Sequence, residues 1–107
     1  MVCNSSIFIG RLTDDPVLRK NEAGTSLLRF VLAVQRRTDK DVADFIPCVA
    51  FNKTAELIDK FTHKGSLVAI EGHFQSGKYD KNGETKYTLD CIVDSFQLLE
   101  PKKEEAY

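Results

Sequence analysis

Asp44-Phe45-Ile46-Pro47-Cys48-Val49-Ala50-Phe51 is the stretch on which the reading of the whole chain turns. A β-strand sends successive side chains to opposite faces, so Ile46, Cys48 and Ala50 share one face and Phe45, Pro47, Val49 and Phe51 the other. Both sets are apolar, although a strand with one buried face needs only one apolar set. Two explanations are open: the strand is buried on both sides, or one side is an aromatic platform for something flat.

Upstream, Leu27 to Gln35 sets Leu28, Phe30, Leu32 and Val34 against Arg29, Val31, Ala33 and Gln35, an alternation that predicts a second strand. The polar segment Arg36 to Ala43, with Arg36, Arg37 and Lys40, reads as the loop joining the two. Earlier still, Ser5 to Thr13 is rich in β-formers, and its Gly10 marks a bend or bulge. Asp14-Asp15-Pro16 ends that run. Asn21-Glu22-Ala23-Gly24 is a turn cluster between the short run Val17-Leu18-Arg19 and the next strand.

Downstream, Asn52 is placed to cap a helix from about Lys53 to His63, with Ala55, Leu57, Ile58 and Phe61 as its apolar stripe and Gly65 to end it. Ser66 to Phe74 predicts a strand that Gln75 to Tyr79 extends into the turn Asp80-Lys81-Asn82-Gly83. Asn-Gly is a two-residue hairpin signal, and Glu84 to Val93 is the returning strand, continued by Asp94 to Leu99. The order is strand, strand, strand, helix, strand, strand. It predicts an all-β OB-fold: a five-stranded Greek-key barrel with one helix between strands 3 and 4 and a long hairpin between strands 4 and 5. Residues 1–99 are expected to form the single domain, followed by a short mobile tail over 100–107.

Composition narrows the function classes. Fifteen Lys plus Arg face sixteen Asp plus Glu, and setting aside the last eight residues leaves thirteen of each sign, so any functional field must come from segregated charge rather than excess. Cys3, Cys48 and Cys91 are odd in number and widely spaced, as expected of reduced thiols in a cytoplasmic protein. No membrane span or secretory leader is evident. His63 and His73 have no Cys, His or Asp partners at metal-binding or nucleophilic spacing, and the glycines read as turn residues. The expectation is a protein without cofactor, metal or enzymatic activity.

With that order established, a set of segments resembles the bacterial single-stranded DNA-binding protein family: Gly10-Arg11-Leu12-Thr13-Asp14-Asp15-Pro16-Val17-Leu18-Arg19, Leu32-Ala33-Val34, Ala43-Asp44-Phe45-Ile46, Ala55-Glu56-Leu57, Lys64-Gly65-Ser66-Leu67 and Glu71-Gly72. They span roughly residues 4 to 99, in order. The resemblance implies an OB-fold protomer, usually of a homotetramer, that coats single strands in replication, recombination and repair, close to the nucleoid. Bases would stack on aromatic rings and basic side chains would follow the phosphates, a mode that tolerates any sequence. Phe45 and Phe51 fall at stacking positions of the family, and Tyr79 at another. Lys53, Lys64, Lys78 and Lys86 align with its basic positions; Arg36, Arg37 and Lys81 lie near the rings and complete the expected phosphate set.

The departures from the family pattern are specific. The Arg36 to Ala43 loop lacks an aromatic, Pro47 stands where a polar or basic residue is common, and Ser5 where lysine is frequent. These predict weaker binding or a shorter footprint. The acidic Glu104-Glu105-Ala106-Tyr107 end has no Gly/Pro/Gln-rich linker before it, so docking of replication or recombination proteins through it is a subordinate expectation. Two rivals remain open: an OB protein of replication restart with weak strand binding, and an adaptor that kept the fold and lost strand binding.

Overall fold

The computed structural model describes residues 1–100. Its elements are β1 (Ser6–Leu12), β2 (Val17–Lys20), β3 (Ser26–Gln35), β4 (Ala43–Phe51), α1 (Asn52–Phe61), β5 (Leu67–Lys81) and β6 (Glu84–Leu98). The strands close on themselves. β1 pairs with β5, β5 with β6, β6 with β4, β4 with β3, and β3 returns to the end of β1. All pairings are antiparallel except β4 with β6, whose parallel register joins Cys48 to Cys91 and Val49 to Ile92. This ring is the expected five-stranded barrel with its helix between the third and fourth barrel strands.

The short run Val17-Leu18-Arg19, with Lys20, forms a sixth strand, β2. It flanks β3 from Val17 opposite Arg29 to Lys20 opposite Ser26. The turn after it closes the β2–β3 hairpin: the Asn21 N–H donates to the Thr25 oxygen, the Asn21 carbonyl accepts from the Gly24 N–H, and Asn21 Oδ1 accepts the Thr25 N–H at 2.9 Å. The turn holds a four-residue strand that is too short and too polar to announce itself.

The inner rows of the strands meet in one core. Leu28 and Leu32 of β3, Cys48 of β4, Val68 and Ile70 of β5 and Cys91 of β6 are fully buried, and Ile58 joins them from the helix. α1 packs on β2, β3, β4 and β6, and burying Ala55 and Ile58 covers core that the strands leave open. Two glycines permit the closure. β1 leaves β5 for β3 at Gly10 and Arg11, and a Cβ on Gly10 would lie 2.4 Å from the Ala33 carbonyl oxygen. Gly72 sits at the register shift of the β5–β6 ladder, where a Cβ would come 2.2 Å from the Ile92 oxygen.

The helix differs from its expectation at both ends. Phe51 occupies the cap position without a side-chain cap bond, while Asn52 is itself the first helical residue, at φ 52°. The positive φ suits asparagine because its short side chain tolerates the left-handed region. At the other end the helix stops at Phe61, two residues before the expected His63. Both the backbone N–H and the hydroxyl of Thr62 donate to the Ile58 oxygen, the hydroxyl at 2.6 Å, and Thr62 turns extended. Gly65, at φ +89°, shapes the following turn rather than the helix terminus.

Glu100, expected as the first tail residue, is tied to the barrel: its Oε1 accepts from the Leu67 N–H and from Arg11, both at 2.7 Å. The rest of the expected tail, 101–107, lies outside the described residues. Among the described residues no helix is long and apolar enough to cross a membrane.

Candidate functional site

The question posed by the two-faced strand is answered residue by residue. Cys48 and Ala50 enter the core, as expected for the inner set. On the outer set Val49 is buried, yet Phe45 is 64% and Phe51 42% exposed. Two large rings are thus left in water on a strand whose other face is core.

Register extends this surface sideways. Across β3, Ala33 lies opposite Phe45, Val31 opposite Pro47, Arg29 opposite Val49 and Leu27 opposite Phe51. The ground between the two rings is therefore nearly all apolar, with Arg29 as its one charge in these two strands. On the other side Val49 is in register with Ile92, and pleat alternation carries the same face along β6 through Asp90, Thr88 and Lys86. Arg29 reaches Asp90 at 3.8 Å, so this ion pair spans β4 above Val49.

Tyr79 lies on the same face. It pairs with Lys86, three alternate positions beyond the His73–Ile92 rung, or about 20 Å of strand. Because β4 and β6 run parallel, the β5–β6 hairpin leaves the barrel at the Phe45 end of β4. From Gln75 to Lys81 and from Glu84 to Leu89 its residues are exposed, so the hairpin is an arm projecting into solvent. The arm turns at Asn82 and Gly83, at φ 54° and 79°, the two positive values that a two-residue type I′ turn requires. Phe51, Phe45 and Tyr79 thus follow one another along a single track from helix to arm.

The basic residues are distributed unevenly about that track. Lys53 lies in the first turn of α1 beside Phe51, and Lys81 and Lys86 share the Tyr79 face, Lys86 in an ion pair with Glu84 at 3.0 Å. Lys64 is beyond the far end of the helix, roughly 15 Å away at 1.5 Å per residue, where its backbone N–H donates to Asp15 at 2.7 Å. Arg36 extends the inward row of β3 past the barrel rim and donates to Asp44 at 2.7 Å, away from Phe45. That contact raises the Arg36 pKa and holds the Asp44 carboxyl below its ordinary range. Arg37 follows in the exposed loop. Lys78 alternates to the opposite face of the arm from Tyr79, where it pairs with Tyr87.

Sequence reasoning missed a groove of about 590 Å³ beside the track, lined by Thr13, Asp14, Asp15, Val17, Arg19, Leu27, Arg29, Phe30 and Val31. It adjoins Pro47 and Phe51 through Val31 and Leu27. The signal was present in the outer row of β3, where Arg29 is flanked by Leu27 and Val31.

A closed Greek-key barrel of five strands, with one helix between the third and fourth and exposed rings on its outer face, is an OB-fold. The chain belongs to the single-strand binding protein family, whose model matches residues 3–99. It is 44% identical over 99 residues to a single-stranded DNA-binding protein of Clostridium perfringens, covering 91% of this chain and 66% of that protein. A single-stranded DNA-binding protein of Lactiplantibacillus plantarum is 42% identical over 106 residues, with 94% and 53% covered. Single-stranded DNA-binding protein 1 of Staphylococcus aureus is 41% identical over 104 residues, with 92% and 67% covered. The chain spans between about half and two thirds of the length of these curated relatives.

Proposed function

We propose that this chain binds single-stranded DNA without sequence preference and protects exposed strands in replication, recombination or repair. The observation that carries the reading is the exposure of Phe45, Phe51 and Tyr79 on one continuous face with apolar ground between the first two. Flat rings of this kind accept any base, and each stacked base contributes about 1–3 kcal/mol. Lys53, Lys81, Lys86 and Arg29 border the rings and serve the phosphates. Their number predicts a salt slope near −3, at roughly −0.7 per contact.

The protein works as a homo-oligomer, a homotetramer, in the cytoplasm beside the nucleoid, where replication and recombination proteins join it. The first strand supports the assembly. β1 pairs with β5 from Ser6 to Arg11 and with β3 only at Arg11 and Leu12, so among the described residues its second edge is open along Ser6 to Gly10. Ile7 and Ile9 stand exposed on its outer face, a combination that matches strand pairing with a second copy. Phe8 has the opposite role, turned inward and edge-on to Phe74 at 6.0 Å.

The reading is tested by titrating labelled oligo-dT of several lengths at two salt concentrations, with Phe45→Ala/Phe51→Ala as the comparison. Binding that is length-dependent, salt-sensitive and weakened at least about tenfold in the variant supports the stacking track. If the unmodified protein ignores the oligonucleotide at low salt, the adaptor reading replaces it.

A further inference from the structure

The arm has two faces, and the track described above uses only one. On the β5–β6 ladder Tyr79 pairs with Lys86 and, on the very next rung, Lys78 pairs with Tyr87. Adjacent rungs point in opposite directions, so each face of the arm presents one tyrosine with one lysine directly across from it. Tyr87 is the more exposed of the two rings, at 78% against 52% for Tyr79. Leu89, two residues along on the Tyr87 face, is also exposed, and the inward row reaches the core only at Cys91 and Phe74.

We infer that the arm carries a second base-stacking contact, Tyr87 with Lys78 beside it, so that a single strand engages both faces of the arm. The inference rests on the single-strand reading and extends it to a face that nothing in the barrel covers. The occupant is identified by chemistry. A ring in water offers a stacking surface, a cation at cross-strand distance offers a phosphate contact, and the same pair recurs on the Tyr79 face. The nearest carboxylate on that side, Asp80, is engaged by the Thr85 hydroxyl at 3.0 Å. Consecutive rungs are one residue apart, about 3.3 Å along the strand, so the two rings sit back to back across the ribbon. A strand rounding the arm's edge passes from one ring to the other.

The composition supplies a direct reporter. The chain has no tryptophan and three tyrosines, Tyr79, Tyr87 and Tyr107. Tyr79→Phe/Tyr107→Phe keeps a ring at each position and leaves Tyr87 as the only tyrosine. Titration of this full-length variant with fluorescein-labelled oligo-dT is followed by anisotropy, and a parallel titration with unlabelled oligo-dT by tyrosine emission. The expected result is quenching of Tyr87 along the binding isotherm, together with an affinity loss of about tenfold in Tyr87→Ala, the effect of one lost stack. Binding with unchanged Tyr87 emission overturns this inference while leaving the Tyr79 track standing. A Tyr87→Ala variant that binds DNA normally but changes its assembly state assigns the face to a second copy and also overturns it. No binding by the unmodified protein removes the single-strand reading itself.

Discussion

Cys48 and Cys91 face one another across the short parallel contact that closes the barrel, both fully buried. Burial pushes the Cys48 thiol up to about 12, with the neighbouring Cys91 adding to the rise, and burial raises Cys91 as well. Thiolate is the reactive form, so both are protected by position and by protonation. In the native protein a thiol reagent should modify Cys3, which is exposed, and reach the other two only in denaturant. Ellman titration with and without guanidinium checks this.

The same burial has an alkaline consequence. An unfolded thiol releases its proton near 9, whereas folded Cys48 holds it up to about 12. The native state therefore binds more protons in that window. The stability this contributes is complete below pH 9 and is lost as the pH rises toward 12. Urea midpoints should fall across that window more steeply in the parent than in Cys48→Ala.

Gly72→Ala should be costly and Gly77→Ala mild. At Gly72 the new Cβ would meet backbone oxygen at 2.2 Å and the Cys91 sulfur at 2.9 Å, whereas at Gly77 it meets only the Thr88 hydroxyl at 3.0 Å. Overpacking of this kind costs about 1–3 kcal/mol, and backbone cannot step aside as a side chain can. Urea denaturation of the two variants measures the difference.

Arg29→Ala and Arg36→Ala should separate in the salt dependence of oligo-dT binding. Arg29 stands in the middle of the track, 66% exposed and only loosely paired with Asp90. Its loss should lower the magnitude of the slope by about 0.7, one phosphate contact. Arg36, engaged by Asp44 on the other side of the strand, should leave the slope unchanged. The reverse outcome would transfer the phosphate path to the loop.

Arg36→Ala should instead be visible at Asp44. The guanidinium hydrogen bond holds that carboxyl below its ordinary 3.8, so the pair's contribution is present at neutral pH and lost as pH falls through the depressed value. In the variant the Asp44 titration followed by NMR should move upward. Both side chains are about half exposed and the pair is screened by solvent, so the neutral-pH stability should scarcely change.

Much of this architecture is legible in the residues. Two apolar rows on β4, the helical stripe ending in Ile58 and Phe61, and Asn82-Gly83 as a two-residue turn are local signals, and they suffice for the barrel order. The Asn-Gly turn even fixes the arm's register, so Lys78 opposite Tyr87 follows by counting outward from it. Illegible features are those decided at a distance. β2 exists because β3 offers it an edge; Asn52 departs from capping because the chain must turn sharply from Phe51 into the helix; Arg36 finds Asp44 only once both strands have reached the rim. The candidate site divides the same way: the rings were readable from alternation, the sorting of the lysines between faces from register alone.

The ring is not equally strong all round. β3 and β4 are laced together from Leu27–Phe51 to Gln35–Ala43, but β4 and β6 meet only at Cys48–Cys91 and Val49–Ile92. That seam runs through the middle of the outer track, dividing Phe45 and Phe51 from Tyr79. A ligand lying across both parts bridges the seam as a staple bridges a cut, and by mass action it opposes any opening there. Occupancy and barrel integrity are then one quantity: the polymer this protein would shield would in turn hold its shield closed.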